Sequence, residues 1–449
     1  MDILMEVYIE QIIVYGAVFL LCAITVIFYL RSLKKKSLEV KEKVALAKED
    51  GVFEPVSLHP YINLDTCIGS AACVAACPEK DILGLINNKA LVIRATCCIG
   101  HGACFHSCPV EAISLRIGTE TRGVDLPHVN SNFETNMPGI YIAGELGGMG
   151  LIKNSVEQGQ QAIESMLKSK KKPKEGVLDV VIVGAGPAGI SAALMAKKQG
   201  LSAIILEQNS LGGTVYTFPR SKIVMTAPMN LPLYGKVKLY DTSKDELLKI
   251  WVDAIAKNNL KVVENTKVEN ILPIENETFK VTTSSGDEYI CNHVLLAIGR
   301  RGSPRKLNVE GEETQKVAYR LLEPERIVAK KILVVGGGDS AVESAMLLKD
   351  QNEVILSYRK DKFARIKPKN RVKIAEAIAN ESLQVIFDSN LVAIEEEAIL
   401  LQVKGEEKPR IIQNDQVYIF AGGELPTKFL QKAGVNISKR FGYIIKQHA

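Results

Sequence analysis

LDVVIVGAGPAG, residues 178–189, reads as a short apolar strand over 180–183 that turns through Gly184, Gly186 and Gly189 into a helix. The spacing gives each glycine a physical role. The first allows a tight turn, the second lets a pyrophosphate lie against bare backbone, and the third lets helix and strand pack closely. The phosphates would meet the partial positive charge at the helix N-terminus. The next apolar run, LSAIILEQN, carries Glu207 near its end, close to the spacing expected of an acid that bonds a ribose hydroxyl. A lone Gly-x-Gly-x-x-Gly is a weak signal. Strand, turn, helix and acid in this order predict a dinucleotide-binding βαβ unit.

The chain has 449 residues, enough for two or three domains. An apolar fraction of 47% and a charged fraction of 24% are those of a globular protein with buried cores. Net charge is only +5 and the lysines gather in two short runs, which argues against nucleic acid as a partner. Of nine cysteines, Cys67, Cys73, Cys77, Cys98, Cys104 and Cys108 form two short clusters, a pattern of metal binding in a reducing compartment more than of a disulfide framework.

Residues 12–30 are an uncharged apolar run, long enough to cross a bilayer core of about 30 Å as a helix. Asp2, Glu6 and Glu10 precede it; Arg31, Lys34, Lys35 and Lys36 follow. Basic residues favour the cytoplasmic side, so a single-pass anchor in the cell membrane with the soluble domains in the cytoplasm is expected. A signal peptide would carry its positive charge first and a small-residue cleavage site after.

Two segments, CIGSAACVAACPEKDIL and CIGHGACFHSCPVEAISL, each bring a Cys-Pro into the same register. They resemble the paired segments of bacterial two-cluster ferredoxins, C-x2-C-x2-C-x3-C-P, in which the fourth Cys serves the other cluster. The resemblance implies one iron–sulfur cluster on Cys67, Cys73 and Cys108 and another on Cys98, Cys104 and Cys77. This chain departs from the pattern at the second Cys of each run, which is Ser70 in one and His101 in the other. Three thiolates leave one iron without its preferred soft ligand. A four-iron cluster with serine or imidazole as fourth ligand, a three-iron cluster, and a metal-free fold all remain open. Cys97 offers a spare thiolate, and His106 reads as a surface residue.

The stretch ETNMPGIYIAGELGGMGLIKNSVEQGQQA resembles the closing motif of flavoproteins of the thioredoxin-reductase type. In that family the motif lies near the C-terminus; here it precedes the first glycine motif, so the flavin domain reads as circularly permuted. Permutation is tolerated where chain ends lie close together at the surface. The run KSKKKPK, residues 168–174, would be the exposed joining loop. Gly144 and Glu145 stand where the family has Gly-Asp, whose carboxylate bonds the flavin's ribityl chain. Gly212, Gly213 and Thr214 resemble the family's flavin-contacting loop. A second strand–turn–helix, KILVVGGGDSAVESAMLL, resembles the nicotinamide domain, with Gly336, Gly338 and Ala341 at the motif positions. After the following strand come Arg359, Lys360 and Arg365, not an acid, which suits the 2′-phosphate of NADPH over NADH. The family's redox Cys-x-x-Cys has no counterpart in VAYRLLEPERIVAKK, and Cys291 reads as a small buried apolar residue.

The expected fold is α/β: two Rossmann-like domains, for FAD and NAD(P), a small α+β ferredoxin-like domain and one N-terminal transmembrane helix. The expected boundaries are an anchor over 1–33, a charged stalk over 34–57, the ferredoxin-like domain over 58–117, and an FAD domain over 118–300, with its permuted closing segment at 118–167 and its glycine-motif half at 177–300. An NAD(P) domain over 301–424 and a return to the FAD domain over 425–449 complete it. These features predict an FAD-dependent oxidoreductase passing electrons between NAD(P)H and [4Fe-4S] or [3Fe-4S] clusters, as ferredoxin–NADP reductases do in either direction. The cofactors carry the redox chemistry, so no acid–base catalytic residue is expected. The expected partner is an electron-transfer protein or a membrane redox partner, and the family resemblance implies a homodimer. A reductase of small disulfides with a structural cysteine module, and a redox sensor that does not turn over, are the rival readings.

Overall fold

Helix α1 runs unbroken over Asp2–Glu49. It belongs to a computed structural model describing residues 2–49, 53–55, 58–79, 81–98, 100–148, 150–169, 175–218, 223–239, 241–300, 302, 304–364 and 366–447. The chain divides into two units, residues 1–116 with 446–449, and residues 117–445.

In the first unit α1 is long and apolar enough to cross a membrane, and the apolar side chains of residues 13–30 are outside any core. The segment expected as a stalk continues the same helix to Glu49. Strand β1 (His59–Ile62), helix α2 (Ala72–Ala76), strands β2 (Leu83–Ile86) and β3 (Lys89–Val92), helix α3 (Ala103–His106) and strand β4 (Ile113–Ile117) then build the cysteine module. β1 and β4 pair antiparallel, His59 opposite Arg116. β2 and β3 form a hairpin turning on Asn87 and Asn88, both left-handed, the conformation a tight primed turn requires. The last turns of α1 pack on that hairpin. A Cβ on Gly84 would lie 2.7 Å from Val40 Cγ1, so only glycine allows this approach, and Lys43 bonds Asp81 at 2.8 Å.

The second unit begins with β5 (Val124–Pro127), β6 (Ile140–Ile142) and helix α4 (Ile152–Leu167), followed by β7 (Leu178–Val183), α5 (Pro187–Lys198) and β8 (Ala203–Leu206). Short strands β9 (Ile223–Met225), β10 (Met229–Leu231), β11 (Gly235–Val237) and β12 (Asp241–Ser243) lead into α6 (Lys244–Lys257), which is capped by the Ser243 hydroxyl. β13 (Val262–Val263), β14 (Val268–Ile274), β15 (Thr278–Thr283) and β16 (Glu288–Leu296) complete a sheet of order β13-β8-β7-β16-β15-β14. β7, β8, β13 and β16 are parallel and β6 lies parallel beside β16, with Ile140 opposite Val294. The segment that precedes the first glycine motif therefore supplies a strand of the same sheet. Its helix α4 crosses α5 so closely that a Cβ on Gly159 would lie 2.2 Å from Ala188 O. Of KSKKKPK, residues 170–174 lie outside the described residues. Cys291 is wholly buried in β16.

A second parallel sheet, β17-β24-β18-β19-β20, is built from β17 (Val317–Ala318), β18 (Lys331–Val335), β19 (Glu353–Ser357), β20 (Gln384–Ile386) and β24 (Gln416–Ile419). Helices α7 (Asp339–Leu348) and α8 (Pro368–Ala379) accompany it, with an antiparallel trio β21 (Ser389–Ile394), β22 (Ala398–Val403) and β23 (Arg410–Gln413). After α9 (Thr427–Lys432), β25 (Ile437–Arg440) pairs antiparallel with β5, so the end of this unit lies against its beginning. Asn136 reinforces the junction, donating to Gly434 O at 2.8 Å and accepting from the Asn436 N–H at 2.7 Å.

Candidate functional site

The first βαβ unit tests the role of each glycine. Gly184 has a φ of +109°, and a Cβ there would lie 2.6 Å from Ala297 O. A Cβ on Gly189 would lie 1.9 Å from Gly184 O, so α5 and β7 touch backbone to backbone. Gly186 faces open space, with nothing within 4 Å of a would-be Cβ. The loop of Gly212, Gly213 and Thr214 comes to the same place: the Gly212 N–H bonds Ala185 O at 3.0 Å, and a Cβ on Gly213 would stand 3.4 Å from Gly186 Cα. Two bare stretches of backbone thus face one another at the start of α5. That fits a pyrophosphate, which needs N–H donors and no side chain in the way.

Glu207 follows β8 and is 5% exposed. Its carboxylate accepts the Ala185 N–H at 2.7 Å and the Asn209 N–H at 2.9 Å. It braces the glycine turn and keeps lone pairs for a ribose hydroxyl. Gly144 takes φ +85°, and its N–H donates to Gln158 Oε1 at 2.8 Å, tying the turn after β6 to α4. Glu145, half-buried, follows in a single 3₁₀ turn. Sequence reasoning did not foresee its neighbour Arg300. Burial pulls the Arg300 guanidinium below its ordinary range, and the charges of Glu145 and Asp125 oppose that pull. An Arg after the strand of Ala297 was readable; the influence on it of charges so distant in sequence was not.

The second unit of this type repeats the geometry. Gly336 has φ +144° with Ala341 directly beneath, Gly338 faces open space, and Ala341 is wholly buried. Gly337, between them, has no room for a side chain because the Tyr358 ring lies 2.0 Å from a would-be Cβ. Tyr358 in turn stacks on Phe363 at 5.4 Å. Asp339 opens α7 and accepts from the Lys367 N–H at 2.8 Å and from Asn370 Nδ2 at 2.7 Å. Arg359 and Lys360 are exposed just past β19, while Arg365 lies outside the described residues.

The cysteine module gathers its ligand candidates into two pockets. Cys67, Cys73 and Cys108 line the first together with Ser70. Cys77, Cys98 and Cys104 line the second with His101. Each pocket takes two thiols from one segment and the third from the other; Cys97 lines neither. The two segments share a backbone: Gly69 and Gly100 both have φ +72°, and Ala71 and Gly102 are left-handed at +60° and +78°. Left-handed Ala71 costs roughly 1–3 kcal/mol and persists only where its surroundings hold it.

No disulfide joins the described cysteines. Burial pushes the Cys104 thiol up to about 12 and the Cys98 thiol up to about 11; it also raises Cys73 and Cys77. Backbone N–H groups already point at sulfur: Ala90 to Cys67 at 3.5 Å, Gly100 to Cys98 at 3.4 Å and Ala112 to Cys108 at 3.3 Å. Such bonds stabilise cluster-bound thiolates and tune their potential. His101 Nδ1 is sealed from solvent without a hydrogen-bond partner, a deficit of about 1–3 kcal/mol unless something binds it. Three thiols in each pocket, with backbone N–H groups directed at sulfur, fit iron–sulfur clusters.

Comparison with known proteins agrees with both halves of this picture. The pyridine nucleotide-disulphide oxidoreductase profile matches residues 181–446, and a 4Fe-4S dicluster domain profile matches residues 59–109. The chain is 26% identical to the bacilliredoxin reductase of Bacillus subtilis over 267 residues, 58% of this chain and 82% of that protein. It is 27% identical to a ferredoxin–NADP reductase of Ignicoccus hospitalis over the same shares of both chains. The solved bacillithiol disulfide reductase of Bacillus cereus superposes with a TM-score of 0.51 at 25% identity, over 60% of this chain and 85% of that one.

Proposed function

Since the chain belongs to the pyridine nucleotide-disulphide oxidoreductase family and carries a 4Fe-4S dicluster domain, we propose that it exchanges electrons between NADPH, FAD and its own iron–sulfur module at the cytoplasmic face of the cell membrane. Bound FAD supplies both two-electron exchange with a nicotinamide and one-electron exchange with metal centres. The chain's residues supply the holding. The backbone at Gly186 and Gly213 takes the pyrophosphate, Glu207 the ribose, Gly144 and Glu145 the ribityl side, and the loop after Gly336 with Arg359 and Lys360 the NADPH phosphates. The three thiols of each pocket, with Ser70 or His101 beside them, hold the clusters.

One observation carries this reading: the cysteines of two distant segments meet in two separate pockets, each with thiols from both. A merely structural cysteine module has no need of that exchange. Relatives named for disulfide substrates keep the small-disulfide reductase in view. The stretch before the second glycine motif contains no cysteine, so it supplies no dithiol of its own for disulfide exchange there. The apolar part of α1 supports a membrane anchor, with an electron-transfer protein or a membrane redox carrier as partner and, by family resemblance, a homodimer as the assembly.

The test is to purify the full chain anaerobically in detergent, assay iron, sulfide and flavin, and record electron paramagnetic resonance spectra before and after adding NADPH. Iron and sulfide with a signal that responds to NADPH support the reading. Flavin without iron after reconstitution sinks it and favours the disulfide reductase.

A further inference from the structure

The two pockets are built alike in backbone and unlike in chemistry, and the difference sits at one position. In the second pocket that position is His101, whose Nδ1 is shut away from water and makes no hydrogen bond. In the first it is Ser70, whose side chain is exposed at the rim. Each residue lies between two left-handed neighbours, so the same tight turn presents both side chains. A neutral imidazole nitrogen is a competent ligand for cluster iron. An alcohol must first lose a proton of very high pKa, and its hard oxygen is a poor match for iron in a sulfide environment.

We infer that the pockets are inequivalent metal sites: His101 Nδ1 completes the second to four protein ligands, whereas the first offers only Cys67, Cys73 and Cys108 and keeps its fourth corner open to solvent beside Ser70. The second pocket retains a four-iron cluster. The first retains three irons firmly, and its fourth place takes up and releases a divalent iron from solution. This inference rests on the proposal that the module holds clusters.

The test uses the full chain, reconstituted anaerobically with iron and sulfide, desalted and mildly oxidised with ferricyanide. The expected iron content is about seven per chain, with the spectrum of one three-iron cluster. Ser70→Cys should abolish that spectrum and raise iron to about eight per chain, while His101→Cys should leave it unchanged. His101→Ala should add a second three-iron signal. Labelling histidine with ¹⁵N should change the nitrogen hyperfine coupling on the reduced wild-type cluster, and that coupling should vanish in His101→Cys. A three-iron signal untouched by Ser70→Cys, or no nitrogen coupling in the wild type, overturns the inference and leaves the cluster reading standing. An iron-free wild type would instead overturn the parent reading.

Discussion

Glu207 Oε2 accepts the Ala185 N–H at 2.7 Å, so the acid at the end of one strand holds the glycine turn at the end of its neighbour. The same carboxylate accepts from Asn209 at 2.9 Å. Glu207→Gln can satisfy only one of these donors with its carbonyl oxygen and turns an amide toward the other. We expect a loss of about 2 kcal/mol in FAD affinity. Flavin absorbance retained through gel filtration, against wild type, reads it directly.

Gly186 and Gly189 separate binding from folding. Gly189→Ala drives a Cβ into Gly184 O and should destabilise the flavin-free protein by about 3 kcal/mol. Gly186→Ala meets only open space and should leave the flavin-free melting temperature unchanged while abolishing flavin retention. Equal melting losses in both variants would refute the assignment of Gly186 to the pyrophosphate.

Arg359 should discriminate between the nicotinamides. Removing one charge-assisted contact to a 2′-phosphate costs about 1.5–3 kcal/mol, so Arg359→Ala should raise KM for NADPH roughly tenfold or more and leave KM for NADH in place. Steady-state kinetics with both nucleotides on the anaerobic holoenzyme decide it; a parallel change in both would place the 2′-phosphate elsewhere.

Glu312 makes stability depend on pH from both ends. Burial pushes its carboxyl up, but the N–H groups of Leu307, Asn308 and Val309 and the Tyr319 hydroxyl more than reverse that, leaving it below its ordinary range. Its contribution is therefore complete above the ordinary carboxylate range and disappears as pH falls through the lower folded value. Tyr319, donating to Glu312 at 2.8 Å, is pushed up by burial and by that carboxylate. An unfolded tyrosine ionises near pH 10 while the folded one stays protonated, so stability also declines above about pH 10. Urea denaturation across pH should show both slopes flattened in Glu312→Gln with Tyr319→Phe.

Deleting residues 2–30 should move the protein from the membrane pellet to the supernatant with its flavin retained. Fractionation followed by flavin assay tests the anchor independently of any electron acceptor.

Much of this was readable in advance because local spacing encodes it. The turn at Gly184 needs glycine for its dihedral and its contacts, and both act within a dozen residues. The grouping of the cysteines was what the resemblance to two-cluster ferredoxins implies. What escaped the sequence depends on chain segments meeting. The charge of Glu145 reaches Arg300 only because β6 lies beside β16, and Tyr358 covers Gly337 only after β19 has paired with β18. The left-handed Ala71 had no glycine to announce it; only its counterpart Gly102 did.

β6 has a consequence for how the chain is made. Ile140 leaves the ribosome well before Val294, the residue it pairs with, and at about 5–20 residues per second that wait lasts roughly 8–30 s. In that interval the strand IYI has been synthesised but the strand it docks beside has not. Until then its apolar side chains are within reach of chaperones and of other nascent chains. Slowing elongation between β6 and β16 should therefore lower the yield of folded protein more than slowing it after β16.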